Sequence, residues 1–185
     1  MALQLLALGV FTATSVAAGA EQYDVIVYGS TPSGIIAAVA AARHGAKTAM
    51  LSQRAHVGGV CAGGLGQTDI GSCAPEVIGG IPLEFFERNA KSYATRQPRA
   101  PWNLEPHVAK QVYLEMMTSS GVAQLPFSEV ESVAKTGLRL SSITTVDGAT
   151  YGAKVFIDAS YEGKRRGVRG PHISPDLGNM GFFTA

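Results

Sequence analysis

The most constraining feature of the sequence is a strand, a glycine turn, a helix and a second strand that follow one another within residues 23–51. Tyr23–Tyr28 (YDVIVY) is a β-branched run typical of a buried strand. The alanine-rich stretch after the turn predicts a helix that ends at His44-Gly45, because glycine suits the left-handed position after a helix. Lys47–Leu51 (KTAML) is predicted as the second strand. This order indicates a βαβ unit, and therefore a parallel sheet with a right-handed crossover.

The glycine turn between the first strand and the helix has the position of a phosphate-binding loop. A phosphate at a helix N-terminus gains from free N–H groups and from the positive end of the helix dipole. Thr31 replaces the middle glycine of the G-x-G-x-x-G pattern, and its hydroxyl is a candidate donor to a phosphate oxygen. The turn predicts dinucleotide binding by six residues, Gly29, Ser30, Thr31, Pro32, Ser33 and Gly34.

The end of the second strand lacks the acidic side chain that usually binds the adenosine ribose in this fold. The corresponding position falls on Ser52 or Gln53. Ribose recognition would therefore depend on a hydroxyl or an amide, and this criterion leaves NAD, NADP and FAD open.

Beyond the βαβ unit, the pattern predicts a glycine-rich loop, two helices and a β-meander that ends in a terminal strand. The loop is residues 58–71, and the two helices are Ile81–Ala90 and Pro106–Met117. The meander comprises the strands from Gly121 onwards, and the terminal strand is Lys154–Asp158. Residues 164–185 show neither helical nor strand periodicity, and we expect a disordered tail there. The predicted fold is α/β, a Rossmann-type domain with a parallel sheet plus a β-meander.

Composition narrows the function classes. The chain has 185 residues, with 15 Lys and Arg against 14 Asp and Glu, so it lacks the basic surplus of a nucleic-acid binder. Apolar residues make up 46% and charged residues 16%, which is enough to bury a core. The 22 glycines suggest close approaches between the backbone and a ligand.

The first twenty residues carry no charged side chain and contain an apolar run from Leu3 to Ala18. Ala18-Gly19-Ala20 has the small-x-small form of a signal-peptidase site before Glu21. We expect residues 1–20 to be a cleaved signal peptide, so that the mature chain is extracellular and not inserted in a membrane. An uncleaved anchor and a poorly ordered terminus are the alternatives.

Few other residues suggest chemistry by their spacing. Cys61 and Cys73 either form a disulfide, which a secretory compartment permits, or remain two thiols. The four histidines have no metal-ligand spacing, and no nucleophile triad is legible. No metal site and no catalytic residue is predicted.

Several motifs together resemble a known flavoprotein family. YDVIVYGSTPSGIIAAVAAARHGAKTAMLSQRAHVGG is similar to the N-terminus of the FAD-dependent oxidoreductases with a glutathione-reductase-like fold. GGLGQTDIG, IGGIPLEFFERNA, EPHVAKQVYLEMM and AKVFIDASYEG resemble, in order and spacing, the subgroup sometimes labelled xanthan-lyase-like. The resemblance covers residues 23–163.

The resemblance implies FAD as the cofactor, with its pyrophosphate on the turn of residues 29–34. It also implies further contact residues: Ser52, Gln53 and Arg54 near the ribose, Gly58 and Gly59 near the ribityl-phosphate side, the Val130 backbone against adenine, and Asp158 at the end of the late strand. Three alternatives stay open. Residues 58–71 could instead form an ordinary loop, and Asp158 could only cap a turn. Tyr161-Glu162 is either a flavin-proximal pair or a turn.

The implied function is hydride transfer between an unidentified small molecule and FAD. The alternatives are a catalytically silent nucleotide-binding fragment and an NAD-binding Rossmann module. Because the match stops after Gly163, where relatives continue, we expect a chain truncated before its substrate domain.

Overall fold

A computed structural model of the chain describes residues 20–72, 75–93, 102–137, 139–161 and 181–184. The predicted signal peptide therefore lies, apart from Ala20, outside the described residues. The helices and strands are β1 (Glu21–Tyr28), α1 (Pro32–Arg43), β2 (Thr48–Leu51), α2 (Gly59–Ala62), α3 (Gly80–Lys91), α4 (Pro106–Ser119), β3 (Ala123–Leu125), β4 (Val130–Thr136), β5 (Arg139–Thr145), β6 (Thr150–Asp158) and β7 (Gly181–Thr184).

The predicted βαβ unit is present as β1, α1 and β2. Strand β1 pairs in parallel with β2 on one side and with β6 on the other, within a sheet ordered β3-β2-β1-β6-β5-β4. Tyr28 is level with Leu51 on one neighbour and with Asp158 on the other. The carboxyl ends of the three central strands therefore meet at one edge of the sheet, where open α/β sheets bind their ligands.

Two predictions about the strands after Gly121 are corrected. Ala123–Leu125 is a parallel edge strand beside β2, not the first strand of the meander. Thr150–Asp158 is one continuous strand, of which the predicted Lys154–Asp158 is the second half. Alternation of period two identifies a strand but not its partner, and the partner here is chosen by the tertiary fold.

A strand also forms where none was predicted. Gly181–Thr184 pairs antiparallel with the second half of β6, with Asp158 opposite Gly181. The expectation of a disordered tail over 164–185 is therefore wrong at these four residues. The rest of that segment lies outside the described residues.

Helices α1, α3 and α4 cover one face of the sheet. Ile35 and Val39 of α1 are fully buried there, and the buried small residues Gly34 and Ala38 let the helix lie close to the strands. The rings of Phe85 and Tyr113 stack between α3 and α4 with centroids 3.9 Å apart. Burial of each such large side chain contributes about 1.5–3 kcal/mol.

The meander covers the opposite face. Val130 and Ile143 of β4 and β5 are buried against Ile26, Leu51 and Phe156 of the parallel strands. The central strands are thus covered on both sides, as buried parallel strands require. No helix in the described ranges has the length and apolarity needed to cross a bilayer.

An ion-pair cluster joins the C-terminal end of α1 to α3. Glu84 accepts from the Arg43 guanidinium at 2.6 Å and from the Arg88 guanidinium at 2.7 Å. These two cations lower the pKa of the Glu84 carboxyl to about 2. The cluster fixes the two helices relative to each other on the side remote from the glycine turn.

Candidate functional site

Gly29 and Gly34 let the turn before α1 pack directly against the end of β6. Gly29 has a φ of +109°, and a Cβ there would lie 2.8 Å from the backbone of Ala159 and Ser160. A Cβ on Gly34 would overlap the carbonyl oxygen of Gly29 and lie 3.0 Å from the Ala159 side chain. Glycine is required at both positions, because backbone atoms occupy the space that a side chain would need.

Thr31 is the N-cap of α1, and its hydroxyl makes three hydrogen bonds within the protein, one of them with the Ser33 hydroxyl at 3.1 Å. Its Oγ1 accepts from the Gly34 N–H at 3.2 Å and donates to the Ala159 carbonyl at 2.7 Å, and the residue is buried. The expectation that this hydroxyl donates to a phosphate is therefore wrong in this geometry, because its single proton already serves Ala159. Thr31 instead ties the turn to the end of β6.

The backbone N–H groups at the start of α1 form the part of the candidate site that is suited to an anion. Within the described residues, the N–H groups of Ser30, Thr31 and Ser33 have no hydrogen-bond acceptor. Ser33 is exposed, and the helix dipole adds partial positive charge at the same end. Free donors, a positive dipole end and side-chain-free glycine backbone suit a phosphate or pyrophosphate group.

The loop after β2 lies beside this turn. The Ser30 hydroxyl donates to the His56 carbonyl at 2.7 Å, and the Ser30 backbone carbonyl accepts from the Gly58 N–H at 2.9 Å. Gly58 has a φ of +94°, and a Cβ there would lie 2.8 Å from the Tyr113 ring. The structure therefore brings the predicted glycine pair, Gly58 and Gly59, next to the turn of residues 29–34.

Tyr161 closes the same corner from the end of β6. Its hydroxyl accepts from the Val60 N–H at 3.0 Å, at the start of α2. A Cβ on Gly59 would overlap this hydroxyl and lie 3.0 Å from Pro32 of α1. Glu162, the other half of the predicted pair, lies outside the described residues.

The residues predicted near the ribose lie at the end of β2, where two of the three side chains bond within the protein. Ser52 is buried and donates its hydroxyl to the Arg54 carbonyl at 2.8 Å. The Gln53 amide donates to the Tyr28 hydroxyl at 3.0 Å. Arg54 is exposed. Of the three side chains, Arg54 has the greatest freedom to reach a ligand.

An open cleft of about 360 Å³ adjoins Arg54 at the carboxyl ends of β2 and β3. It is lined by Met50, Ser52, Arg54, Ala55, Val57, Leu114, Gln124, Leu125 and Pro126. The lining is largely apolar, with a guanidinium and an amide among its polar groups. This chemistry suits a planar, partly polar group such as a nucleoside.

Val130 and Asp158 lie at two different ends of the site. Val130 is buried at the start of β4, and the Ser128 N–H just before it donates to the Ser52 carbonyl at 2.8 Å, so this strand start lies on the Ser52 side. Asp158 lies beside the glycine turn, and its carboxylate accepts from the Ser160 N–H at 2.9 Å. That bond is the one expected of a turn cap.

Cys61 is a half-buried thiol rather than a nucleophile. Burial raises the pKa of the Cys61 thiol, although a hydrogen bond with the Tyr113 hydroxyl lowers it in part. The thiol therefore stays protonated at neutral pH and is a poor nucleophile. Cys73 lies outside the described residues, so the disulfide remains a prediction.

Comparison with known proteins gives a family match over most of the chain. The family model described as FAD dependent oxidoreductase matches residues 24–165. A dihydrolipoyl dehydrogenase of Rhizobium etli is 52% identical over 42 residues, which are 23% of this chain and 8% of that protein.

Two solved structures are similar in fold at low identity. THI4 of Thermovibrio ammonificans has a TM-score of 0.55 and 19% identity, over 77% of this chain and 59% of its own. The myxobacterial chondrochloren halogenase CndH, described as a variant of FAD-dependent halogenases, has a TM-score of 0.55 and 21% identity, over 80% of this chain and 39% of its own. The chain thus spans less than two thirds of the length of each of these three proteins.

Proposed function

Because this chain belongs to the FAD-dependent oxidoreductase family, with FAD as its cofactor, we propose that it forms the dinucleotide-binding part of a flavin oxidoreductase. The observation that carries the proposal is the cradle at the start of α1. There, the free N–H groups of Ser30, Thr31 and Ser33 adjoin two glycines that no side chain can replace. When bound, the flavin supplies the hydride chemistry, and the chain supplies binding and orientation.

We place the pyrophosphate of FAD at the start of α1. The N–H groups of the turn donate to its oxygens, and the dipole of the twelve-residue helix α1 favours its negative charge. The hydroxyl of Thr31 contributes indirectly, because it holds the turn against Ala159 at 2.7 Å. Gly58 and Gly59 flank the turn, with the Gly58 N–H bonded to the Ser30 carbonyl, and we place the ribityl side of the cofactor along their backbone.

We place the adenosine half toward the cleft beside Arg54. Arg54 provides a cation and a donor at the cleft rim, and the start of β4 at Val130 lies on the same side through the Ser128–Ser52 contact. The absence of an acidic residue at Ser52 and Gln53 means that the ribose hydroxyls meet neutral groups or Arg54 instead of a carboxylate. We therefore expect weaker ribose binding than in folds with an acidic residue there.

Substrate and location are also proposals. We propose a small-molecule substrate, no nucleic-acid partner, and entry into the secretory pathway through the apolar N-terminal twenty residues. The order of the segments GGLGQTDIG, IGGIPLEFFERNA and EPHVAKQVYLEMM supports the narrower likeness to the xanthan-lyase-like subgroup. The chain spans 59% of THI4 and 39% of CndH. The activity of the whole enzyme is therefore a proposal that depends on the family membership.

The first experiment is an absorption spectrum of the purified 185-residue chain, followed by denaturation and assay of the released flavin. Stoichiometric FAD, or saturable binding of added FAD, supports the proposal. A folded chain that binds neither FAD nor its ADP half contradicts it. Titration with NAD is the matched control, and NAD binding in preference to FAD would also contradict it.

A further inference from the structure

We propose that Tyr161 is a positioning residue for FAD, holding the start of α2 against the start of α1; the proposal rests on the function proposed above. The Tyr161 hydroxyl accepts from the Val60 N–H at 3.0 Å across a sequence separation of 101 residues. The same hydroxyl fills the space beside Gly59 that a side chain would need. A phenol in this position bridges two segments that the family resemblance implies as FAD contacts.

The backbone of Tyr161 is well placed to act as an anchor. Tyr161 lies two residues after Ala159, which is held on both sides. The Ala159 carbonyl accepts from the Thr31 hydroxyl at 2.7 Å, and the Ala159 N–H donates to the Tyr28 carbonyl at 2.8 Å. Movement of this segment is therefore coupled to the glycine turn. The Tyr161 side chain extends that coupling to α2.

Helix α2 depends on contacts with other segments, because its own burial and capping are weak. It has four residues, none of them buried, and its N-cap Gly58 makes no side-chain capping bond. Val60 is 54% exposed, and of the four residues Cys61 alone packs, in part, against the apolar cluster, so limited apolar burial holds this turn of chain in place. Within the described residues, four hydrogen bonds hold the segment: Gly58 N–H to Ser30 O, the His56 ring with Gly59 O, Val60 N–H to the Tyr161 hydroxyl, and the Cys61 thiol with the Tyr113 hydroxyl.

The exposure of Tyr161 fits a role at the cofactor and not in the core. The residue is 51% exposed, and its hydroxyl nevertheless has a fixed backbone partner. Loss of the hydroxyl should therefore cost little global stability, because the ring is not part of either apolar cluster. It should instead loosen the Gly58–Val60 turn, so that FAD must order that turn on binding.

The test is Tyr161→Phe in the 185-residue chain, with Tyr151→Phe as the matched control. Tyr151 is half-buried on β6, the strand that precedes Tyr161, and is level with Glu21 at the end of β6 remote from the turn. Hydrogen exchange of the Val60 amide is measured in the cofactor-free protein, together with the FAD dissociation constant and the urea midpoint.

We expect Tyr161→Phe to speed Val60 exchange and raise the FAD dissociation constant about three- to tenfold, the size expected for one lost hydrogen bond. Its urea midpoint should match that of Tyr151→Phe, which should leave exchange and FAD affinity unchanged. If wild type binds FAD and Tyr161→Phe binds it equally well, the positioning role is refuted while the proposed function stands. A wild-type chain that binds no FAD refutes both.

Discussion

Substitution of Gly29 by alanine is the sharpest test of the architecture at the glycine turn. The residue has a φ of +109°, and its added Cβ would lie 2.8 Å from the carbonyl carbon and oxygen of Ala159 and from the nitrogen of Ser160. These are backbone atoms at the end of β6, so they cannot rotate away as a side chain can. Either the turn or the strand end must shift.

The cost has two parts, and a control separates them. Gly45, after α1, has a φ of +87°, but nothing lies within 4 Å of a Cβ built there. Gly45→Ala therefore meets backbone strain alone, about 1–2 kcal/mol. Gly29→Ala meets the same strain plus the steric conflict with β6, which overpacking data place at about 1–3 kcal/mol more.

Equilibrium urea denaturation of both variants and of wild type measures these costs, and FAD titration measures the effect on binding. We expect Gly29→Ala to lose about 2–5 kcal/mol in the free energy of unfolding and at least tenfold in FAD affinity. Gly45→Ala should keep the wild-type affinity. If both variants lose equal stability and both bind FAD normally, the close approach of the turn to β6 does not exist as described.

Three further predictions concern stability. Thr31→Val, which removes the cap and the bond to Ala159, should cost about 2 kcal/mol in urea denaturation; Thr31→Ser should cost less than half of that, and an equal loss would contradict the role of the hydroxyl. Glu84→Gln, which weakens the partly exposed pair with Arg43, should cost about 1 kcal/mol at pH 7. The pKa of Glu84 falls from 4.5 to about 2 on folding, so this contribution is present above pH 4.5 and is lost as the pH falls towards 2; a difference from wild type that does not vary with pH would refute the assignment. Phe127 has a φ of +60° and is exposed, so Phe127→Gly should raise the thermal midpoint by relief of about 1 kcal/mol of strain, and a lower midpoint would refute it.

The replacement of the middle glycine by Thr31 shows how the same turn is stabilised by different means. A threonine side chain usually crowds a backbone that must approach a ligand. Here it points its hydroxyl into the protein, where it caps Gly34 and bonds Ala159. The groups of the turn that stay available to a ligand are therefore backbone N–H groups, which are the same for any residue except proline.

The corner formed by His56, Gly59, Val60 and Tyr161 was not legible in the sequence. The Ser30–His56 bond joins residues 26 apart, and the Val60–Tyr161 bond joins residues 101 apart. Three of the contacts use backbone atoms, which carry no residue-specific signal. The sequence did place Tyr161 just after the β6 strand, which singled out the residue but did not predict its bond to Val60.

The sequence alone determined the local elements. The β-branched run, the glycines at 29, 34 and 45 and the helical periodicity predicted β1, α1, β2, α3 and α4 to within three residues at each end, because these signals act over one or two turns of chain. Beyond the β1–β2 pair that the βαβ order predicted, the tertiary structure alone decided which strands pair. It set β3 beside β2, made β6 a single central strand and added β7, since pairing depends on burial and on hydrogen-bond partners distant in sequence. It also turned the Thr31 hydroxyl toward Ala159, because only the folded chain brings that carbonyl within 2.7 Å.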